Sequence, residues 1–496
     1  MKTSLQPNKK LSVSKKYSRD DWASAYSNVE KELDSVELKL VKGKVPKGLS
    51  GTFYRNGPGQ LERGGQWVHH PFDGDGMITS LEFSNGKINF SNRFIRTKEY
   101  LAESKANKFL YRGVFGTQKP GGQLSNAFDV RLKNIANTNV IKFGDELLAL
   151  WEASSPYSIN PKTLETNGLS NLNGVLKPTE AFSAHPRFDP GHHNEKRMVT
   201  FGVKTGPKST LRLMEFGMED NNVGSILSDR KDSFGGFAFL HDFAITKNWA
   251  IFLQNAISFN PIPFLIGKKG AAQCLSSDSK AKPKFWLIPR DSGVHANKPP
   301  LIIDAPGGFV FHHLNAFESN NEIILDSIYY NDFPTIEPGQ DFKNIDFDLL
   351  PEGILKRCVI DINKKSFQLD ELSKQCCEFA MVNPSKQGLQ AKFGWMAVAE
   401  NELGNGPLQG IKKINLFDKT SITWSAGHRG FVNEPLMVPN PNSEKEDDGW
   451  ILVVMWNGKR EGSDLVILNA SDMKEIALLE LPIPIPYGLH GSWAAN

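Results

Sequence analysis

The stretch "MITSLEFSNGKINFSNRFI", residues 77–95, decides the fold. Apolar and polar residues alternate, an Asn-Gly pair interrupts them, and the alternation resumes. That pattern predicts a two-stranded hairpin, because Asn and Gly accept the positive φ angles that a tight turn requires. The phrase recurs along the chain. "NVIKFGDELLALWE" (139–152) repeats it around a Gly-Asp turn, and "HDFAITKNWAIFLQN" (241–255) and "HHLNAFESNNEIILDSI" (312–328) follow. "EFAMVNPSKQGLQAKFGWMAVAE" (378–400) and "EPLMVPNPNSEKEDDGWILVVMW" (434–456) carry longer turns, and "AHPRFDPGHHNEKRMVTFGV" (184–203) has the same form.

Each phrase opens on a polar residue: Asp73, Thr138, His185, His241, His312, Glu378 and Glu434, with His490 one step further on. The steps run from 47 to 71 residues, enough for one propeller blade and a connecting loop. Seven such steps predict an all-β chain closed as a seven-bladed β-propeller. The excess over an ordinary blade of about 40–45 residues predicts a dome of long loops and short helices on one face. Insertions are expected near 98–135, 255–273 and 328–353. Residues 1–20, basic and Ser-rich, are expected to form a flexible arm, and 21–496 one domain. The ending "IPIPYGLHGSWAAN" (483–496) is too aromatic and Gly-rich for a frayed tail. It reads as a last inner strand that returns to pair near "GTFYRNGP" and closes the ring.

Composition narrows the class. In 496 residues, 39% hydrophobic and 23% charged content supports a sizeable core and excludes wholesale disorder. A net charge of +3 gives no case for nucleic-acid binding. No apolar run approaches the roughly 18 residues of a membrane span, and the opening residues lack the apolar segment of a secretory signal. The four cysteines, Cys274, Cys358, Cys376 and Cys377, form no C-x-x-C pair and are expected as reduced, buried thiols of a cytosolic protein.

Of eleven histidines, four fall in the repeat frame: His185, His241, His312 and His490. His192 and His193 lie in a turn and read as solvated. If the frame holds, the four in-frame residues converge on one axis and make a metal site; the other reading is four separately satisfied histidines in separate blades, and periodicity alone does not decide between them. Four histidines without cysteine suit iron, copper, nickel or zinc, so ligand type alone does not name the metal. In "FVFHHLNAFE" strand alternation selects His312 and turns His313 outward. Glu152, Glu378 and Glu434 stand in or beside the frame and are candidates to accept the far N–H of a ligating imidazole, which leaves one histidine differently supported. Thr138 stands where a further ligand would fall, and its methyl would block one coordination position.

The motifs "GTFYRNGPG" (51–59), "HPFDGDGMI" (70–78), "NIANTN" (134–139), "SAHPR" (183–187), "FLHDFAIT" (239–246), "FVFHHLNAFE" (309–318), "CCEF" (376–379) and "LHGSW" (489–493) resemble those of the carotenoid cleavage oxygenases. The resemblance covers about residues 45–496 in order. Within the family the chain looks most like the bacterial apocarotenoid 15,15′-oxygenases. It implies one Fe(II) per chain, bound by His185, His241, His312 and His490, with Glu152, Glu378 and Glu434 behind the ligands and Thr138 shielding an open position. It also implies dioxygenase cleavage of an apocarotenoid at its central double bond, giving two aldehydes, one of them retinal-like. A different cleavage position or a full-length carotenoid is the alternative. A non-enzymatic propeller scaffold is the rival from another class.

A polyene substrate needs an apolar tunnel, for which Phe72, Phe115, Trp151, Phe239 and Phe311 are candidates. Phe239, two residues before His241, shares its face; Phe311 adjoins His312 and by alternation should point away. "SFNPIPFLIGKK" offers Phe259, Ile262, Phe264, Leu265 and Ile266 ahead of Lys268 and Lys269 as a monotopic membrane contact. The expectation is a monomer, cytoplasmic and peripherally membrane-associated.

Overall fold

The computed structural model describes residues 17–496 apart from 179, 193, 207, 220–221, 279, 291–297 and 335–340. The described residues form seven antiparallel sheets of four to six strands and two small two-stranded ribbons. The seven sheets are the blades. In chain order their inner strands are Asn139–Phe143, Arg187–Asp189, Ala244–Ile245, Phe309–Ser319, Cys377–Met381, Leu436–Pro439 and, for the blade begun by Gly51–Gln60, the C-terminal Gly491–Ala495. Several of these edges touch one another in succession around the axis. The hairpin that decided the reading is present: Asp75–Ser84 pairs with Lys87–Phe94, and its turn residues have φ of 53° at Asn85 and 79° at Gly86.

The ring is closed from both ends of the chain. Gly491–Ala495 runs antiparallel to the first blade, from Gly51 opposite Ala495 to Arg55 opposite Gly491. The Trp493 ring meets Phe83 edge-on at 5.5 Å, in the apolar cluster between the first and last blades. Gly51 is required here: its φ is +146°, and a Cβ would stand 2.5 Å from the Ala494 carbonyl oxygen. Leu33–Glu37 extends the outer edge of the first blade, while Lys39–Gly43 adds the outer strand of the last. Tyr487 stacks on Trp22 at 6.2 Å and meets Tyr26 edge-on at 5.1 Å. The arm expected over 1–20 is therefore cut short. Residues 1–16 lie outside the described residues, but Tyr17 is buried and the helix Arg19–Ser24 is fastened by Asp21 to Arg429.

Buried charges bind neighbouring blades. Arg290, fully buried, gives Glu215 two hydrogen bonds of 2.9 Å and reaches Asp189 at 2.7 Å. His192, expected in a solvated turn, is half-buried with its side chain 3% exposed and Nδ1 3.3 Å from Asp189, because that turn folds back onto the inter-blade network; His193 lies outside the described residues. All four cysteines are buried and free. Among the described residues no helix is long and apolar enough to cross a membrane.

The dome is built from the long insertions. Lys98–Ala106 and Gly122–Asn126 occupy the first, and Ile262–Leu265 the second. Arg112 ties the two together: its buried guanidinium donates to the carbonyls of Asn126, Asp129, Phe264 and Lys269. Asp73, read as a frame position, is not on an inner strand. It ends a 3-10 turn, Pro71–Asp73, and accepts hydrogen bonds from the backbone of Phe115 and Thr117, which holds the first insertion down. The C-terminal strand carrying His490 takes the inner place of that blade.

Candidate metal centre

His185 and His241 precede their inner strands, His312 lies within one, and His490 immediately precedes the last. Their rings meet on the propeller axis. Nε2 of His185 is 3.1 Å from Nε2 of His241, which is 3.3 Å from Nε2 of His312. The His490 ring lies 4.6 Å from that of His185 and 5.0 Å from that of His312, centre to centre. The first three offer donor atoms within 4.8 Å of one another.

Three of the four are backed by carboxylates. Glu152 lies 2.5 Å from Nδ1 of His241, Glu378 2.6 Å from Nδ1 of His312, and Glu434 2.7 Å from Nδ1 of His490. A carboxylate at that distance accepts, so the proton sits on Nδ1 and Nε2 presents a lone pair. His185 has no carboxylate behind it; its backbone N–H is held by the Ser183 hydroxyl at 3.0 Å. Burial, then the neighbouring imidazoles, hold His185 well below its usual range, which keeps it neutral. For His312 burial also opposes the charge, but the Glu378 carboxylate prevails and the net shift is upward. Burial likewise opposes the Glu378 charge, yet His312 carries that carboxyl below its ordinary value.

This donor set fits a cation. In their neutral forms, with the Nδ1 protons committed to glutamates on the far side, His241 and His312 turn Nε2 toward each other at 3.3 Å. Two such lone pairs repel unless a positive centre, a metal ion or a ring proton, lies between them. A first-row metal with bonds of about 2.1 Å to imidazole holds adjacent donors about 3 Å apart, close to both spacings.

Thr138 stands beside the fourth histidine, its carbonyl accepting the His490 N–H at 3.1 Å. Tyr330 and Phe379 escaped the sequence reading. The Tyr330 hydroxyl donates to the second oxygen of Glu378 at 2.6 Å. Phe379 has φ of 55°, which is uncommon for a bulky residue, and its ring lies 5.9 Å from His312 and 5.4 Å from His490. Phe379 adjoins Glu378 in "CCEF", the one signal that pointed to it.

The tunnel candidates divide. Phe311 meets His241 edge-on at 5.5 Å, against the expectation from alternation. The pairing register of its strand shifts between Val310 and His313, and this bulge brings Phe311 and His312 to the same side. His313 does turn away, with Nδ1 2.6 Å from the Ser327 hydroxyl, but it is buried. From Phe311 ring contacts continue to Phe309, Phe333 and Phe239, and Phe237 and Phe259 stack on each other in the same apolar cluster. Phe72 and Phe115 form a second group, 5.3 Å apart and packed on His70. Trp151 is buried, one residue before Glu152.

The apolar patch is also redrawn. Ile262 is 62% exposed, but Phe264 is buried under the Arg112 guanidinium, 4.0 Å from ring centre, because the short helix turns that side inward. Phe259 stacks on Phe237 within the aromatic cluster, and Leu265 and Ile266 are half-buried. The exposed side chains come instead from the first insertion, Leu124 at 92% and Phe128 at 80%, with the Phe128 N–H bonded to the Leu265 carbonyl at 2.7 Å.

The family profile described as "Retinal pigment epithelial membrane protein" matches residues 26–495. The chain is 43% identical over 484 residues to the apocarotenoid-15,15′-oxygenase of Synechocystis sp., covering 96% of this chain and 97% of that protein. It is 30% identical over 481 residues to lignostilbene-α,β-dioxygenase isozyme III of Sphingomonas paucimobilis, covering 93% and 94%. The crystal structure of cobalt-substituted Synechocystis ACO superposes with a TM-score of 0.94 at 42% identity, covering 97% of this chain and all of that one. With the propeller and the histidine cluster, these matches place the chain in the retinal pigment epithelial membrane protein family, the carotenoid oxygenases.

Proposed function

We propose that the chain is a non-haem iron dioxygenase that cleaves the central 15,15′ double bond of an apocarotenoid to two aldehydes, one of them retinal-like. The observation that carries this reading is the convergence of four imidazoles, with Nε2 of His241 3.1 Å from that of His185 and 3.3 Å from that of His312. The 43% identity to the Synechocystis apocarotenoid-15,15′-oxygenase supports the substrate class and the bond.

His185, His241, His312 and His490 would hold one Fe(II). Ferrous iron bound there would supply the dioxygen chemistry for scission of a carbon–carbon double bond. The protein's part is placement. Glu152, Glu378 and Glu434 keep the proton on Nδ1 and so fix each ring's orientation. The Thr138 methyl would shield one position beside His490. Four neutral ligands leave the ion its full charge. The cluster holding Phe311 and Phe259 gives a rigid polyene an apolar wall leading to the histidines, where a small misplacement is costly in rate. Phe72, Phe115 and Trp151 are candidates for the opposite wall.

The exposed Leu124, Phe128 and Ile262 lie on insertions joined by Arg112, and Phe259 of the aromatic cluster belongs to the second of them. An apolar patch at that place suits peripheral contact with a membrane, from which a lipid-soluble substrate enters.

Mass spectrometry of products from a panel of apocarotenals and carotenoids tests the reading. Paired aldehydes from cleavage at 15,15′ of apocarotenals are expected. Products of another cleavage position, or turnover of full-length carotenoids alone, would replace it with the alternative.

A further inference from the structure

Beside the histidines lies an ion pair without an assigned role, its carboxylate buried. Arg187 follows His185 by two residues, and Asp242 directly follows His241. Arg187 Nη2 reaches Asp242 Oδ2 at 2.5 Å. The same guanidinium donates from Nε to the Phe243 carbonyl at 2.8 Å and from Nη2 to the His313 carbonyl at 3.0 Å. Asp242 Oδ2 accepts the His313 N–H at 2.8 Å, and Oδ1 accepts the Phe243 N–H at 2.7 Å. The Asp242 side chain is 1% exposed.

Every bond in this group joins the inner strand of one blade to that of another, or fixes the backbone beside a histidine. Arg187 belongs to the strand Arg187–Asp189, Asp242 leads into Ala244–Ile245, and His313 lies in Phe309–Ser319. The group therefore clamps the three consecutive strands that carry His185, His241 and His312. His490 is outside it and is placed by main-chain bonds, from its own N–H to Thr138 and from the Asn56 N–H to its carbonyl at 2.9 Å. The three clamped histidines are the three whose donor atoms lie closest together.

We infer that Arg187, through Asp242, is a positioning residue that sets the spacing of the three clamped histidines for the metal. A planar guanidinium can bind a carboxylate and two carbonyls in fixed directions, whereas a lysine ammonium is a point charge without that fork. A brace needed only to offset the buried Asp242 charge would accept lysine. A clamp that fixes histidine spacing would not. The inference rests on the four-histidine reading of the site.

The test is titration of cobalt(II), a spectroscopic probe, into chelator-stripped protein, read by visible absorption beside the melting temperature of the metal-free form. For Arg187→Lys the expected result is cobalt binding weakened 10- to 100-fold with displaced absorption bands, the range found when groups behind ligands are removed. Its metal-free melting temperature should stay within a few degrees of wild type. Wild-type affinity and bands in Arg187→Lys would overturn the positioning role. Absence of cobalt binding by the wild-type protein would instead overturn the metal site itself. Asp242→Asn, which cannot accept at both positions, should weaken cobalt binding in the same way and serves if Arg187→Lys does not fold. Failure of both variants to fold would assign the group to the propeller rather than to the metal, and would also overturn the inference.

Discussion

The imidazole of His490 and the carboxylate of Glu434 lie 2.7 Å apart across the seam where the chain closes on itself. Glu434 belongs to the last blade and His490 to the inner strand that completes the first. Closure of the ring and completion of the histidine cluster are thus one event. His490→Ala should lose metal and turnover while the protein still melts cooperatively. Removal of 490–496 should cost both, because it also strips Trp493 from the first blade, a loss of several kcal/mol by comparison with other buried aromatics. A truncated protein that retained its metal would contradict this.

His241→Ala should abolish turnover and leave a cooperative unfolding transition, since the ring is half-buried and its loss opens no large cavity. Glu152→Gln should be milder, with metal affinity or activity reduced about 10- to 100-fold. Retained activity in His241→Ala, measured on metal-loaded protein, would remove that residue from the site.

The redrawn apolar patch separates binding from stability. Leu124→Ser with Phe128→Ser should weaken liposome sedimentation and spare turnover of detergent-dispersed substrate. Phe264→Ser should instead destabilise the protein, by about 3 kcal/mol, because it empties the space under Arg112. If liposome binding follows Phe264 rather than Leu124 and Phe128, the patch has been placed wrongly.

Phe379 permits a comparison of strain with packing. Its left-handed backbone costs a non-glycine residue about 1 kcal/mol. Phe379→Gly and Phe379→Ala should both impair turnover by removing the ring beside His312 and His490. The glycine variant should be the more stable of the two by about that amount in denaturant unfolding.

Acid should weaken the join between the third and fourth blades. Burial opposes the Glu215 charge, but hydrogen bonds and charge from Arg290 and Arg197 hold its carboxyl below the ordinary value. A depressed carboxylate contributes stability that is present above its unfolded pKa of about 4.3 and is lost as pH falls through the lower folded value. Glu215→Gln should therefore be less stable at neutral pH and lose less of its stability below about pH 4.

The frame of polar residues was legible because each blade sets a polar residue at or beside its inner strand, once per blade. Spacing alone picks out Thr138, His185, His241, His312, Glu378, Glu434 and His490, which lie at or beside the inner strands. It failed at Asp73, because the C-terminal strand, not the local one, occupies the inner place of that blade. Alternation pointed Phe311, a tunnel candidate, away from the histidines because a bulge breaks the two-residue period, and a single strand cannot show a register shift set by its partner. Phe264 was misread because the partner that covers it, Arg112, is 152 residues away. Tyr330 was missed for the same reason: the partner that ties it to the histidines, Glu378, is 48 residues distant.

The most direct test of the central claim is the metal content of protein purified without added metal, measured by mass spectrometry beside its turnover of an apocarotenal. The account predicts about one iron per chain, with turnover rising in proportion to iron and lost on chelation. Zinc in its place with turnover intact would contradict it.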